Sequence, residues 1–149
     1  MAELKNRLRA DLAVSMKARD ELRTRTIRMA LTSVTNEEVA GKTARELSDD
    51  EVVAVLTKEA KKRRDAAEAF DAAGRADRAA AERAEGEVLA GYLPAQLSDE
   101  ELGDIVAAAI AETGATAMGP VMKVVRPRVA GRADGARVAA EVRRRLGQA

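Results

Sequence analysis

An amphipathic helix is most clearly predicted for residues 98–114, which read SDEELGDIVAAAIAETG. Ser98 and Glu101 have the spacing of a capping box, in which each side chain accepts a hydrogen bond from the other residue's backbone amide. The apolar residues that follow recur at helical spacing and share one face: Leu102, Ile105, Val106, Ala109 and Ile110. Gly114 is placed to end the helix. This segment therefore predicts a helix that buries one side.

Similar signals predict the first and third helices of the amino-terminal half. Leucines and a methionine recur every fourth residue and predict one apolar stripe along a first helix: Leu4, Leu8, Leu12 and Met16. A second capping box, Ser48 to Glu51, opens a long helix that should end at Gly74.

Two further helices complete the amino-terminal half. One begins after Asp20 and runs out near Gly41, which we expect to be its carboxyl-terminal cap. An alanine-rich helix runs from about Arg75 to Tyr92, and Pro94 stops it because the residue before a proline is pushed out of helical geometry.

Two helices follow residue 114. Pro120 suits the first turn of one of them, and Pro127 should kink or end it. Asp134 then caps a last helix whose inward residues are Val138, Val142 and Leu146. No useful period-2 alternation is present, so the fold class is all-α. We predict a bundle of about four helices over residues 1–93 and a compact three-helix unit over residues 94–149.

The composition excludes most catalytic chemistry. The 149 residues include no cysteine and no histidine, which excludes thiolate chemistry, structural zinc sites and the commonest general base. The acidic runs Glu37-Glu38 and Asp49-Asp50-Glu51 do not converge on one ion, because adjacent helical residues do not face each other. No phosphate-binding glycine motif is present, and no serine is marked as a nucleophile. We expect no catalytic residues, metal or cofactor.

The charges are more informative. Residues 118–149 hold eight basic and two acidic side chains, a net formal charge of +6. Such an end suits a phosphate-binding surface, although a solvated arginine-rich tail explains the charge equally well. The basic run Lys61 to Arg64 instead favours a salt-bridged helix face, since Glu59 and Arg63 are spaced i,i+4. With only Phe70 and Tyr92 as aromatics, any RNA must be recognised by shape and backbone.

The expected compartment is the cytoplasm. The first residues form no apolar signal region, and no apolar run approaches the ~20 residues that a membrane span needs. We therefore expect no membrane partner.

Several motifs resemble the YqeY-like family of the GatB/YqeY group. The most specific is YLPAQLSDEEL at residues 92–102, and ETGA at 112–115, MGPVMK at 118–123 and GRADG at 131–135 agree in order and spacing. NEE at 36–38 and KEAKKRRD at 58–65 match upstream, so the resemblance covers nearly the whole chain.

The resemblance implies a function in tRNA biology. The carboxyl-terminal half is similar to the tail domain of the B subunit of the tRNA-dependent glutamine amidotransferase, which contacts tRNA while the chemistry lies in other domains. Carried over by position, the candidate tRNA-facing residues are Lys123, Arg126, Arg128, Gly131, Arg132 and Gly135. Simple helix-end geometry explains the two glycines as well.

The sequence is compatible with three functions. The preferred one is a non-catalytic tRNA-binding module. The second is an accessory module that docks on an amidotransferase or another translation component, and an exposed apolar patch would favour it. The third, a carbon–nitrogen ligase with glutamine as amido donor, is implied by the family label and has no matching nucleophile and base in this sequence.

Overall fold

The computed structural model describes residues 2–147, and these residues are all-helical, as predicted. They divide into two compact units, and the boundary along the chain lies between Leu93 and Pro94. Met1, Gln148 and Ala149, which the predicted domain ranges include, lie outside the described residues. That the two units are independent domains stays a prediction.

The seven helices of the described residues begin and end as follows. The amino-terminal unit contains α1 (Glu3–Lys17), α2 (Glu21–Glu38), α3 (Asp49–Ala72) and α4 (Ala76–Ala90). The carboxyl-terminal unit contains α5 (Asp99–Thr113), α6 (Met118–Val129) and α7 (Gly135–Arg145).

Side-chain caps fix four of the helix starts, and three of these caps were predicted; the fourth, in which Asp20 accepts from the amide of Arg23 at 3.1 Å, was not. Ser48 accepts from the amide of Glu51 at 3.3 Å, and Ser98 accepts from the amide of Glu101 at 3.0 Å. In both boxes the glutamate carboxylate accepts in return from the serine amide. Asp134 caps α7 by accepting from the amide of Arg137 at 2.9 Å. These local contacts satisfy amides that have no partner within the helix.

Two predicted helix ends are wrong. The second helix ends at Glu38 and not near Gly41, because the Glu38 carboxylate accepts from Lys5 and the Leu47 amide, and its carbonyl accepts from Arg45. These contacts turn the chain away before the glycine is reached. The fourth helix ends at Ala90 and not at Tyr92, although turn hydrogen bonds continue to Leu93, directly before Pro94.

Pro127 does not end α6. The helix continues to Val129, which is buried, so packing holds the last turn although a proline in a helix interior lacks one amide donor. Pro120 lies in the first turn, as predicted.

The prediction of one apolar stripe along α1 is correct only in part. Leu8 is fully buried, but Met16 is 50% exposed, and Ser15 takes the buried position beside it. A spacing of four residues overshoots the 3.6-residue turn by about 40° at each step, so three steps carry the stripe about 120° around the helix. The predicted apolar stripe therefore does not include Met16 on the buried side of the helix.

Each unit has its own core. The amino-terminal core is built from these buried residues: Leu8, Ile27, Ala30, Val34, Leu47, Val52, Leu56, Val88, Leu89 and Tyr92. The carboxyl-terminal core is built from another set: Leu97, Leu102, Val106, Ala109, Val121, Val125, Val129, Ala133, Val138 and Val142. Small and branched side chains dominate the second core, which lets its three helices approach closely.

Among the described residues, no helix combines the length and the apolar character that crossing a membrane requires.

Candidate nucleic-acid interface

Helix α6 has one buried and one exposed side. Val121, Val125 and Val129 face the core, at the i, i+4, i+8 spacing of a single helix side. Lys123 and Arg126 lie one turn apart on the opposite side, and both are exposed. Neither forms an ion pair within the described residues. We call Gly119, Lys123 and Arg126 the α6 face.

Arg128 lies outside the α6 face and has an intramolecular partner. Its Nη1 donates to Oε1 of Glu112 on α5 at 3.2 Å, and its Nη2 donates to Oε2 of the same carboxylate. The hydrogen bond from Arg128 lowers the pKa of Glu112. Both side chains are well exposed, at 40% and 55%, and exposed ion pairs contribute only about 0–1 kcal/mol. The partner is therefore replaceable.

Arg132 caps the end of α6. Its Nη2 donates to the carbonyl of Arg128 at 2.6 Å and its Nε to the carbonyl of Val129 at 3.2 Å. Its own carbonyl accepts from the Leu97 amide at 2.7 Å, which ties the segment before α5 to the turn after α6. These contacts give Arg132 a structural role.

The two candidate glycines differ. Gly131 has φ of 80°, a left-handed conformation that favours glycine, and its carbonyl accepts from Nε2 of Gln96 at 3.3 Å. Gly135 begins α7, is exposed, and has open space where a Cβ would lie. The geometric explanation therefore suffices for Gly131, whereas Gly135 leaves its backbone accessible.

The remaining arginines of this unit are on α7. Arg137 contacts Asp99 at 2.8 Å. Arg144 and Arg145 share Glu141, at 2.7 Å and 3.0 Å. Arg143 is exposed and has no ion pair within the described residues.

Ion pairing therefore divides the basic side chains predicted to attract a polyanion. Within residues 2–147, four of these side chains form no ion pair: Lys123, Arg126, Arg132 and Arg143. Arg132 donates to two backbone carbonyls instead, so the ones without any such contact are Lys123, Arg126 and Arg143. Asp99 and Glu112 lie before residue 118, so a count over the basic segment could not include them. Only the Glu141 pairs have the i,i+3 and i,i+4 spacing that makes them readable from the sequence.

One predicted pair of the second basic run is present in the structure. Arg63 contacts Glu59 at 3.3 Å, which confirms the predicted i,i+4 pair. It also reaches Glu82 and Glu85 on α4, at 3.4 Å each. This arginine is therefore engaged between α3 and α4.

Three other features of the described residues bear on the alternative functions. The hydroxyls of Ser48 and Ser98 accept backbone amides as caps. No group of three or more acidic side chains in residues 2–147 is arranged to hold a metal ion. The large apolar side chains that are exposed there are Val14, Met16 and Val39. Val14 and Met16 lie near the end of α1. Val39 follows the end of α2, where Glu38 pairs with Lys5 at the start of α1. These three apolar side chains form no single patch.

A comparison with protein families decides the relationship. Residues 5–146 match the family model described as Yqey-like protein. The chain belongs to the YqeY-like family. This confirms the family that the motifs indicated, and the match spans both units of this YqeY-like protein. A comparison with curated proteins finds no match.

Proposed function

We propose that this YqeY-like protein is a non-catalytic tRNA-binding module whose carboxyl-terminal unit contacts the sugar–phosphate backbone through the α6 face. The observation that carries the proposal is that Lys123 and Arg126 lie one turn apart, exposed and without an internal partner. Unpaired cations on a rigid helix attract phosphates without first giving up another contact.

Backbone contact suits the side chains better than base recognition. Tyr92 is buried and Phe70 is half-buried, so neither offers an open ring for stacking. Arg128 adds a second source of positive charge, because a phosphate can replace the exposed carboxylate of Glu112 in a bidentate contact. Of the other candidates, Gly135 offers accessible backbone, and Gly131 and Arg132 shape the turn that follows α6.

The proposal extends to the organisation of the chain. The bundle over residues 1–93 and the three-helix tail over residues 94–149 act as separate domains, and the tail carries the RNA contact. Its similarity to the amidotransferase tail supports tRNA as the ligand, with an amidotransferase or another translation component as the protein partner. The cytoplasm is the compartment in which these partners meet.

Binding to unfractionated tRNA, measured by filter retention over a salt series, tests the proposal. The double variant Lys123→Gln/Arg126→Gln should bind more weakly, and its log K against log salt slope should be shallower by about 2, since each lost phosphate contact removes about 1. Glu112→Gln should bind more tightly, because it frees Arg128. Lys42→Gln/Lys61→Gln, exposed lysines of the amino-terminal unit, is the control with the same charge change.

Two outcomes would overturn the proposal. The first is no tRNA binding at low salt, or an equal loss in the control variant. The second is turnover of glutamine by the purified protein alone, which would contradict a non-catalytic role.

A further inference from the structure

An open groove lies in the amino-terminal unit, between the carboxyl-terminal half of α2 and the amino-terminal half of α3. Its volume is about 590 Å³. The α2 side contributes Ser33, Asn36, Glu37 and Ala40. The α3 side contributes Glu51, Ala54, Val55, Lys58, Glu59 and Lys62. A volume in this range suits a small ligand.

Most of the charge in the groove is already neutralised. Glu59 is only 6% exposed, and it accepts from Ser33 Oγ at 3.0 Å and from Lys62 Nζ at 3.2 Å. Burial favours protonation of Glu59, but these hydrogen bonds outweigh it and lower its pKa. Glu51 is held by Arg45 at 2.5 Å. Hydrogen bonds from Arg45 and the Ser48 amide lower the pKa of Glu51 to about 2.

Three polar side chains in the groove have no hydrogen-bonding or ion-pairing partner among residues 2–147, although one of them, Glu37, interacts electrostatically with Arg45. Asn36 and Glu37 on α2 and Lys58 on α3 are exposed, and their side chains make no hydrogen bond or ion pair within the described residues. Glu37 and Lys58 carry opposite charges on opposite walls and do not reach each other. Ala54 and Val55 supply apolar surface on the α3 wall.

We propose that this groove binds a small zwitterion, an ammonium and a carboxylate joined by a short aliphatic spacer, as in a free amino acid. Lys58 donates to the ligand carboxylate, and Glu37 accepts from the ligand ammonium. The Asn36 amide, which both donates and accepts, serves either group. The spacer packs on Ala54 and Val55. The site lies outside the proposed RNA surface and does not depend on it.

A series of ω-amino acids of increasing length tests the site on the full chain: glycine, β-alanine, γ-aminobutyrate and ε-aminohexanoate. Acetate and ethylammonium are the singly charged controls. Backbone amide NMR shifts of α2 and α3 report binding, and the preferred spacer measures the separation of the two charges. We expect saturable binding of at least one zwitterion and weaker binding of both controls.

Variants assign the binding to the two walls. Glu37→Gln and Lys58→Gln should each weaken binding by about tenfold or more, since each removes the opposite charge that strengthens a hydrogen bond to the ligand. Glu87→Gln and Lys61→Gln, exposed residues outside the groove, should leave it unchanged. Helix content by circular dichroism checks that each variant is folded.

The proposal would be overturned by no saturable binding of any zwitterion, by equal binding of acetate or ethylammonium, or by equal losses in the control variants. Binding only of a longer peptide that carries both charges would show that the groove serves a protein partner, and would equally overturn it.

Discussion

Tyr92 offers the sharpest test of the amino-terminal unit, because it is the chain's only tyrosine and there is no tryptophan. Its hydroxyl donates to Oδ2 of Asp11 at 2.5 Å and accepts from Nη2 of Arg23 at 3.4 Å. The guanidinium of Arg7 lies 4.7 Å from the ring centroid. These contacts join the segment after α4 to α1 and α2. Burial, followed by the contact with Asp11, raises the pKa of Tyr92 to about 12 from 10.0.

We predict that Asp11→Asn lowers this pKa. The substitution keeps the shape of the side chain and removes its negative charge, whereas burial of the ring remains. A like charge at hydrogen-bonding distance typically raises such a pKa by 1–3, so we expect a fall of roughly 1 from the wild-type value. The value should stay above 10.0 because burial is the largest contribution.

The same contact makes stability depend on alkaline pH. The folded-state pKa of Tyr92 is raised, so its stabilisation is complete below 10.0 and is lost as pH rises from 10.0 towards 12. At 1.36 kcal/mol per pKa unit, the difference of two corresponds to at most about 2.7 kcal/mol. The Asp11 side chain is 33% exposed, so solvent screening reduces this to about 1–2 kcal/mol.

Ultraviolet absorbance of tyrosinate against pH measures the pKa directly, and a single tyrosine gives a single transition. Far-ultraviolet circular dichroism at each pH shows whether the helices are intact. Glu3→Gln, an exposed acid also on α1, is the matched control and should leave the midpoint unchanged. A wild-type midpoint near 10.0 in folded protein would refute the reasoning, as would an Asp11→Asn midpoint equal to that of the wild type.

Three further predictions concern stability. Ser98→Ala removes the cap of α5 and should cost about 1 kcal/mol in urea unfolding, with hydrogen exchange rising in the first turn of α5; exchange unchanged there would contradict the capping role. Leu102→Ala, at a position only 2% exposed, should cost about 2–5 kcal/mol, and a loss below that range would mean that the carboxyl-terminal core collapses around the cavity. The hydrogen bond from Lys5 lowers the pKa of Glu38, so its stabilisation is present above 4.5 and is lost as pH falls below it; the urea midpoint of Lys5→Met should therefore fall less on acidification than that of the wild type, and parallel pH profiles would argue against the pair.

Local signals predicted the helices, and contacts between distant residues limited the rest. Both capping boxes and the Asp134 cap were readable because a cap and its amide lie within four residues of each other. The end of α2 was missed because the chain turns there on a contact between Glu38 and Lys5, whose positions lie far apart in sequence. No local pattern encodes that pairing.

The candidate site was predictable only as a segment. Its cations were visible in the sequence, and the spacing of the buried valines places Lys123 and Arg126 on the side of α6 away from the core. That spacing does not show that Arg128 has an acidic partner. The partner of Arg128 comes from α5, and the capping role of Arg132 depends on how the turn after α6 closes. The net charge of the segment predicted that its surface is positive, and only the tertiary structure shows which of its cations are paired.

The difference between total and unpaired charge bears directly on the proposed RNA binding. Counterion release depends on how many phosphates the protein neutralises, and a cation held by a carboxylate must exchange partners before it counts. Lys123 and Arg126 on the α6 face have no carboxylate partner among the described residues to exchange for a phosphate. Arg128 must give up Glu112, which costs little free energy because this ion pair is exposed and screened by solvent. A surface of this kind meets a polyanion first through its unpaired cations and then recruits a neighbour, so its salt dependence should reflect more contacts than the unpaired residues alone provide.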